Sequence, residues 1–183
     1  MENTICIIEN LNDIKIIKKQ LNNHPNLKIF TLNYNTHRLL EKNNISHKIA
    51  ATLNSTGAPT VVLNSQNALH GDLGIVSNED TIIALSYSGE TNEILDLLPA
   101  LRRFKVNIIS MTGNTNSSLG RNSDIILNTK VDREACPLNL APTSSTTAML
   151  VLGDALAMTL LESRGFVKED FAKEREDINY IKN

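Results

Sequence analysis

Short apolar runs alternate along this chain with longer stretches in which apolar residues recur every three or four positions. Because buried strands are short and continuous whereas helices are longer and periodic, this alternation predicts both kinds of element. Strands are predicted at 4–8, 27–32, 60–63, 81–85, 106–110 and 124–127, and helices at 11–21, 36–52 and 144–164. Alternating strands and helices predict an α/β fold with a parallel sheet, in which ligands bind beyond the carboxyl ends of the strands.

A further helix is predicted to begin at Thr91, but Pro99 interrupts its apolar pattern. Proline lacks a backbone donor and clashes with the preceding turn, so it either kinks this helix or divides it into two short ones. The highly charged stretch 168–183 is better explained by a solvated terminal helix than by a mobile tail that docks a partner.

The most informative stretch follows the predicted strand 81–85 and has the sequence Ser86-Tyr-Ser-Gly-Glu-Thr. The hydroxyls of Ser86, Ser88 and Thr91, together with the flexible Gly89, therefore fall on a strand-to-helix turn. At such a turn, free backbone N–H groups and the positive end of the helix favour an anion, most often a phosphate. The sequence thus predicts a phosphorylated ligand.

A second hydroxyl cluster, Thr143-Ser-Ser-Thr-Thr, begins the helix predicted at 144–164. Thr143, Ser144 and Ser145 either supply a second set of contacts to the ligand or cap the helix and occupy its crowded first turn. The turn at 111–118 also follows a strand, and it is better explained by an N-capped turn than by a binding site.

Three carboxylates and one histidine bear on a possible mechanism, and of these Glu90 taken alone is interpreted as structural. Glu90 and Glu93 follow the predicted phosphate turn, where a carboxylate ordinarily serves the helix dipole. Glu134 lies on a loop that enters the second hydroxyl cluster, where burial could raise its pKa into a useful range for acid–base catalysis. His70 suits an acid–base role, and because no second His or Cys lies near it in the sequence, a metal site is the less favoured interpretation.

Composition narrows the classes of function. The 183 residues suffice for one domain with a sizeable core, and the net charge of −2 and the absence of Trp disfavour nucleic acid as a partner. No apolar run approaches the roughly 20 residues of a membrane helix, and the first residues lack the basic start of a signal peptide. Cys6 and Cys136 are far apart, so no disulfide framework is expected and the predicted location is the cytoplasm.

Three segments carry a resemblance to a known family: Ala68-Leu-His-Gly-Asp-Leu-Gly, Ala84-Leu-Ser-Tyr-Ser-Gly-Glu-Thr, and Glu134-Ala-Cys-Pro-Leu-Asn-Leu-Ala-Pro-Thr-Ser-Ser-Thr-Thr-Ala. From about residue 48 to 171 the chain resembles the SIS-domain sugar isomerases, specifically the D-arabinose-5-phosphate isomerases. The resemblance implies a three-layer α/β/α sandwich around a mainly parallel five-stranded sheet. It also implies interconversion of D-ribulose 5-phosphate and D-arabinose 5-phosphate, a role in synthesis of the Kdo sugar of bacterial lipopolysaccharide or capsule, and a homotetramer.

The resemblance also assigns roles to particular residues. The substrate phosphate would be held by Ser86, Ser88 and Thr91, and the family's catalytic groups are matched by Glu93, Glu134 and His70. Aldose–ketose isomerisation moves a proton between adjacent carbons through an enediol, so it needs a base, a group that polarises the carbonyl and a fixed phosphate. Glu134 is then the candidate base, with His70 or Glu93 assisting, and neither a metal nor another cofactor is expected.

The resemblance does not reach the ends of the chain. Glu41 stands where the family has a lysine in a glycine-rich turn. Arg175 stands where the family has a histidine. We therefore divide the chain into an atypical N-terminal segment 1–44, expected to form strand–helix–strand, an SIS domain 45–172 and a charged tail 173–183. The segment 1–44 either is foreign to the sheet or completes it. Two functions stay open: an isomerase of pentose phosphates, and a sugar-phosphate-binding SIS module whose catalysis is impaired by the two substitutions.

Overall fold

The structure is a computed structural model that describes residues 29–33, 40–78 and 80–170, with side chains for 45–78 and 80–170. The elements predicted at 4–8 and 11–21, the charged tail and Arg175 lie outside the described residues. Glu41 lies within a described helix, but its side chain lies outside the described part. The proposed boundary between residues 44 and 45 falls inside that same helix, and the division into segments stays a prediction.

The described part contains a five-stranded sheet in which every neighbouring pair of strands is parallel. Its strands are β1 (Ile29–Asn33), β2 (Thr60–Asn64), β3 (Thr81–Leu85), β4 (Asn107–Thr112) and β5 (Ile125–Asn128), in the spatial order β2-β1-β3-β4-β5. Strand β1 lies inside the sheet, where Ile29 is in register with Thr60 of β2 and with Thr81 of β3. The parallel α/β fold expected from the sequence is confirmed.

The described helices connect the strands and leave short turns at the strand ends. They are α1 (Leu40–Asn54), α2 (Ser65–Ala68), α3 (Asn92–Leu95), α4 (Leu98–Arg103), α5 (Ser118–Arg121) and α6 (Ser144–Ser163), with a 3-10 helix at Asp72–Ile75. Of the two outcomes predicted for Pro99, the structure shows the division: Pro99 lies in the first turn of α4, after a break from α3. There its missing N–H removes no helical hydrogen bond.

Apolar side chains on the two faces of the sheet form two separate cores. In β3, Ile83 and Leu85 pack with α1 and α6 on one face, whereas Ile82 and Ala84 pack with α3 and α4 on the other. This alternation follows from the two-residue period of a strand. All five β3 residues are buried, as expected for a parallel strand covered on both faces. The α/β/α sandwich is therefore confirmed.

Helix α6 is 20 residues long with a mean hydropathy of 1.4, which by length and composition alone would suffice to cross a membrane. The sequence pattern predicts no apolar segment of this length, so this helix corrects that expectation. Its buried residues recur every three or four positions: Ser145, Met149, Leu152, Gly153, Leu156, Ala157 and Leu160. At Gly153 a Cβ would come within 2.5 Å of Ile49, so α1 and α6 cross closely. The apolar composition suits a helix packed on a core.

The strand order places one turn at a position where ligands commonly bind. The chain runs outward in one direction from β1 to β2 and in the other from β3 to β5, so the order reverses between β1 and β3. In open parallel sheets the crevice beyond the carboxyl ends of the strands at such a switch point is the usual binding position. The turn that follows β3, which the sequence analysis selected for a phosphate, begins there.

Candidate functional site

The turn after β3 is braced by its own hydroxyls. Buried Ser86 accepts a hydrogen bond at Oγ from the Gly89 backbone N–H at 3.0 Å, and its Oγ lies 2.8 Å from Thr91 Oγ1. Gly89 has a φ of 68°, a left-handed conformation that favours glycine. Ser88 is exposed, and its Oγ accepts from the Glu90 N–H at 3.2 Å. Ser86 and Thr91 thus shape the turn, while Ser88 is exposed at its surface, and ligand binding by these hydroxyls stays a prediction.

The turn is also tied to the following strand–helix connection. The Ser118 N–H donates to Glu90 Oε1 at 2.7 Å, and the Leu119 N–H donates to the Gly89 carbonyl at 3.0 Å. The bond from the Ser118 amide is the main cause that lowers the pKa of Glu90. Glu90 therefore has a structural role, but it serves the amino end of α5 rather than that of its own helix. Ser117 caps α5 by accepting from Gly120 N–H at 3.1 Å, as predicted for the turn at 111–118.

Tyr87 joins this turn to the loop that follows β5. Its hydroxyl accepts from the Val131 N–H at 3.2 Å and lies 3.4 Å from the Val131 carbonyl, to which it donates. Its ring lies against Gly113, where a Cβ would come within 2.4 Å of the ring. The Gly113 N–H in turn donates to the Tyr87 carbonyl at 2.9 Å. One side chain thus holds the loops that follow β3, β4 and β5 together.

Glu134 caps helix α6. Its Oε2 accepts from the Thr143 N–H at 2.7 Å, from Thr143 Oγ1 at 3.1 Å and from the Ser145 N–H at 3.2 Å. Its Oε1 accepts from the Ser145 hydroxyl. Burial raises the pKa of Glu134, but the hydrogen bonds from Ser145 and Thr143 outweigh it and lower the pKa to about 2. The expectation that burial raises this pKa toward neutrality is therefore wrong.

Most hydroxyls of the second cluster are satisfied within the protein. Thr143 is the N-cap residue of α6, yet its side chain makes no capping bond, because Glu134 takes that place. The hydroxyls of Thr146 and Thr147 donate to the Thr143 carbonyl at 2.8 and 2.9 Å. Four of the five hydroxyls therefore bond within the protein, but the cap of α6 comes from Glu134, and ligand contacts by this cluster stay a prediction. Ser144 begins the helix and is half-buried.

A cavity of about 380 Å³ lies beside these groups, beyond the carboxyl ends of β3 and β5. Three of the predicted site residues line it, namely Ser88, Glu134 and Ser145. The lining also contains charged and polar residues that the sequence analysis did not select: Tyr87, Asp132, Arg133, Asn139 and Thr146. The structure therefore brings the turn after β3, the Glu134 loop and the first turn of α6 around one space large enough for a small polar ligand.

The SIS-domain family model matches residues 41–159 of this sequence. The chain belongs to the SIS-domain family. Its curated relatives include the arabinose 5-phosphate isomerases KdsD of Pseudomonas aeruginosa and of Escherichia coli K12, each 55% identical over 128 residues. Each match covers 70% of this chain and 39% of the relative, so the chain spans about two fifths of the length of these relatives. A solved protein of E. coli CFT073 in complex with arabinose 5-phosphate is 36% identical, with a TM-score of 0.81 over 92% of this chain and 87% of that chain.

Seven of the ten selected residues do not line the cavity. Ser86, Gly89, Thr91, Thr143 and Ser144 belong to the two hydroxyl segments that contribute lining residues, whereas His70 and Glu93 do not. His70 is exposed in the turn after α2, and Glu93 is half-buried in the first turn of α3; neither lines the cavity. Among the residues with described side chains, no hydrogen bond or ion pair joins His70 or Glu93 to Glu134, and their catalytic roles stay predictions. Within 40–78 and 80–170, no group of three or more His, Cys, Asp or Glu residues is placed to hold a metal ion.

Some of the additional cavity-lining residues could have been predicted from the sequence, and others could not. Tyr87 stands inside the Ser-x-Ser-Gly turn and Arg133 adjoins Glu134, so adjacency to a selected residue was an available signal. Asn139 gave no such signal. It has a φ of 55°, and its Oδ1 accepts from the Glu134 N–H at 2.6 Å. Only the folded loop shows that Asn139 helps to hold Glu134.

Proposed function

We propose that this SIS domain is an aldose–ketose isomerase that interconverts D-ribulose 5-phosphate and D-arabinose 5-phosphate. The observation that carries the proposal is the 55% identity over 128 residues to arabinose 5-phosphate isomerases. The similar E. coli CFT073 structure in complex with arabinose 5-phosphate supports the same class of ligand. We further propose that the reaction takes place in the cytoplasm and feeds synthesis of the Kdo sugar.

The geometry suggests how such a substrate would be held. The phosphate would lie at the exposed Ser88 hydroxyl, on a turn whose shape is fixed by Ser86, Gly89 and Thr91. The sugar would then extend into the cavity toward Glu134 and Ser145. Fixing the phosphate at one end reduces the freedom of the reacting carbons at the other, which lowers the entropic part of the barrier.

Glu134 would meet this substrate as a carboxylate, because a pKa of about 2 leaves it ionised at neutral pH. In that state it is a weak base, since efficient proton transfer favours a pKa near the working pH. A substrate hydroxyl that replaced the Ser145 hydroxyl at Oε1 would remove one of the contacts that lower this pKa. We therefore propose that Glu134 takes part in proton transfer. On substrate binding, the contact that would change is the hydrogen bond from the Ser145 hydroxyl.

The second candidate is a sugar-phosphate-binding SIS module with little catalysis. It is favoured by the same low pKa of Glu134 and by the position of His70 and Glu93 outside the cavity. A binding module needs a fixed phosphate turn but no tuned base. Turnover and binding must therefore be measured side by side.

Incubation of the 183-residue chain with ribulose 5-phosphate is expected to yield arabinose 5-phosphate, which NMR or chromatography would detect.

Replacing Ser88→Ala is expected to raise KM about tenfold with a smaller change in kcat, because one hydrogen bond to a charged group is lost. Ser163→Ala, at the far end of α6 with its hydroxyl bonded to the Leu160 carbonyl, is the matched control. Thermal stabilisation by arabinose 5-phosphate without conversion would favour the binding module. Absence of both would reject both functions.

We also propose that the chain assembles as a homotetramer, as its resemblance implies. Light scattering coupled to gel filtration is expected to give four times the chain mass of 20.2 kDa at micromolar concentration. The exposed apolar residues Leu138 and Leu140, 75% and 78% accessible in the isolated chain, would be among those covered if the loop lies at an interface. A monomer mass would reject the tetramer without bearing on the isomerase.

A further inference from the structure

The described lining of the cavity contains more negatively charged than positively charged side chains. Among its described lining residues, Asp132 and Glu134 carry negative charge and Arg133 is the one cation. A phosphate monoester carries a charge of about −1.5 to −2 at neutral pH. Without Arg133 the charged side chains of the cavity would be carboxylates, which repel an anion. The remaining polar groups are neutral dipoles, which attract an anion only weakly.

The backbone on both sides of Arg133 is anchored. Two residues before it, Val131 is bonded through both its N–H and its carbonyl to the Tyr87 hydroxyl. The residue after it, Glu134, is held by its carboxylate at α6 and by its N–H at Asn139 Oδ1, 2.6 Å away. The Arg133 backbone is therefore held at the cavity wall on both sides.

The side chain of Arg133, by contrast, is exposed and has no hydrogen bond or ion pair with another residue in the parts of the chain with described side chains. A guanidinium with five N–H donors is free to meet a ligand. Its planar fork matches two oxygens of a phosphate, which an ammonium group cannot do in the same way.

We propose that Arg133 binds the phosphate group of the ligand together with the Ser88 turn and supplies the positive charge of the site. This rests on the proposed function in one respect, that the ligand is a sugar phosphate. Tyr87 is then a positioning residue, because its two bonds to Val131 hold the chain segment from which Arg133 extends. The cavity thus binds the phosphate with one hydroxyl turn and one arginine from different loops.

The test is calorimetric binding of arabinose 5-phosphate and of inorganic phosphate to the full 183-residue chain. Arg133→Ala is expected to weaken both ligands about 10- to 100-fold, as for loss of a charge-assisted hydrogen bond, and Arg133→Lys to recover part of the loss. Lys130→Ala is the matched control: Lys130 is an exposed cation three residues earlier that does not line the cavity, and it is expected to change affinity less than about twofold. Should Arg133→Ala fold poorly, Arg133→Gln keeps length and polarity while removing the charge.

The pH dependence separates a charge contact from a purely structural role. The second pKa of a phosphate monoester is about 6, so its charge grows between about pH 5 and pH 8. The ratio of wild-type to Arg133→Gln affinity is expected to increase over that range. Equal affinity of the variants and the wild type, or a ratio that stays constant with pH, would overturn the proposal and leave the isomerase intact. Failure of the wild type to bind either ligand would overturn it as well, while the conversion assay judges the isomerase separately.

Discussion

Gly89→Ala is expected to lower the free energy of unfolding by about 2–5 kcal/mol and to abolish measurable binding of arabinose 5-phosphate. A non-glycine residue at a φ of 68° costs about 1–2 kcal/mol. The added Cβ would also come within 1.9 Å of Ser117 Oγ, the buried cap of α5, and relieving such an overlap costs about 1–3 kcal/mol. Both costs fall on the turn that presents Ser88.

Gly165→Ala provides the matched control. Gly165 has a similar φ of 63°, but a Cβ there would meet no atom within 4 Å. This variant is therefore expected to lose only the conformational part, about 1–2 kcal/mol, and to keep its ligand affinity. Denaturant titrations of both variants, analysed by linear extrapolation, separate the two costs. Equal destabilisation by the two variants would show that the turn after β3 shifts to relieve the overlap with Ser117, which contradicts a rigid turn.

The sequence predicted the fold well because the relevant signals are local. Strand β3 was predicted with its observed bounds, since a fully buried parallel strand is a short apolar run between polar turns. Helix α6 was predicted to within one residue, because glycine at 165 follows its last turn. At Pro99 the sequence could say only that the helix bends or divides. The choice depends on how the residues on both sides pack, which the sequence alone does not show.

The site could be predicted only where its contacts are close in sequence. Within the turn, the hydroxyls of Ser86, Ser88 and Thr91 bond to groups five residues away or fewer, so a motif could reveal them. The bond from Tyr87 to Val131 spans 44 residues and depends on the order of the strands. The sequence identifies Glu134 and the hydroxyl cluster that bonds to it, but it predicts the wrong direction for the pKa shift of Glu134. Its hydrogen bonds form only because the loop before α6 folds back on the helix.

Glu134→Gln is expected to lower turnover about 10²- to 10⁴-fold and the free energy of unfolding by about 1–2 kcal/mol. The first effect follows if the carboxylate takes part in proton transfer, and the second because the variant loses the charge that caps α6. Glu162→Gln is the matched control, since Glu162 is exposed at the other end of the same helix and outside the cavity. It is expected to change stability by less than about 0.5 kcal/mol. Unchanged turnover in a folded Glu134→Gln variant would remove Glu134 from the mechanism.

The pH dependence of stability tests the low pKa of Glu134 directly. A carboxyl group whose pKa is lower in the folded than in the unfolded chain stabilises the fold above its unfolded pKa, and this contribution is lost as the pH falls through the folded pKa. For Glu134 the window runs from the ordinary value of 4.5 down to about 2. The wild type is therefore expected to lose stability more steeply than Glu134→Gln across this window, whereas Glu162→Gln is expected to follow the wild type.

The pH dependence of the proposed reaction gives the complementary test, because it would report the pKa of Glu134 during turnover. A group with a pKa of about 2 produces no acid limb in kcat/KM above about pH 4. An acid limb at higher pH would belong to another group, and the residual activity of Glu134→Gln would still show it. An acid limb between about pH 5 and 7 in a plot of kcat that is absent from kcat/KM would instead show that the substrate raises the pKa of Glu134. Loss of that limb in Glu134→Gln would then identify Glu134 as the group whose pKa rises when the substrate binds.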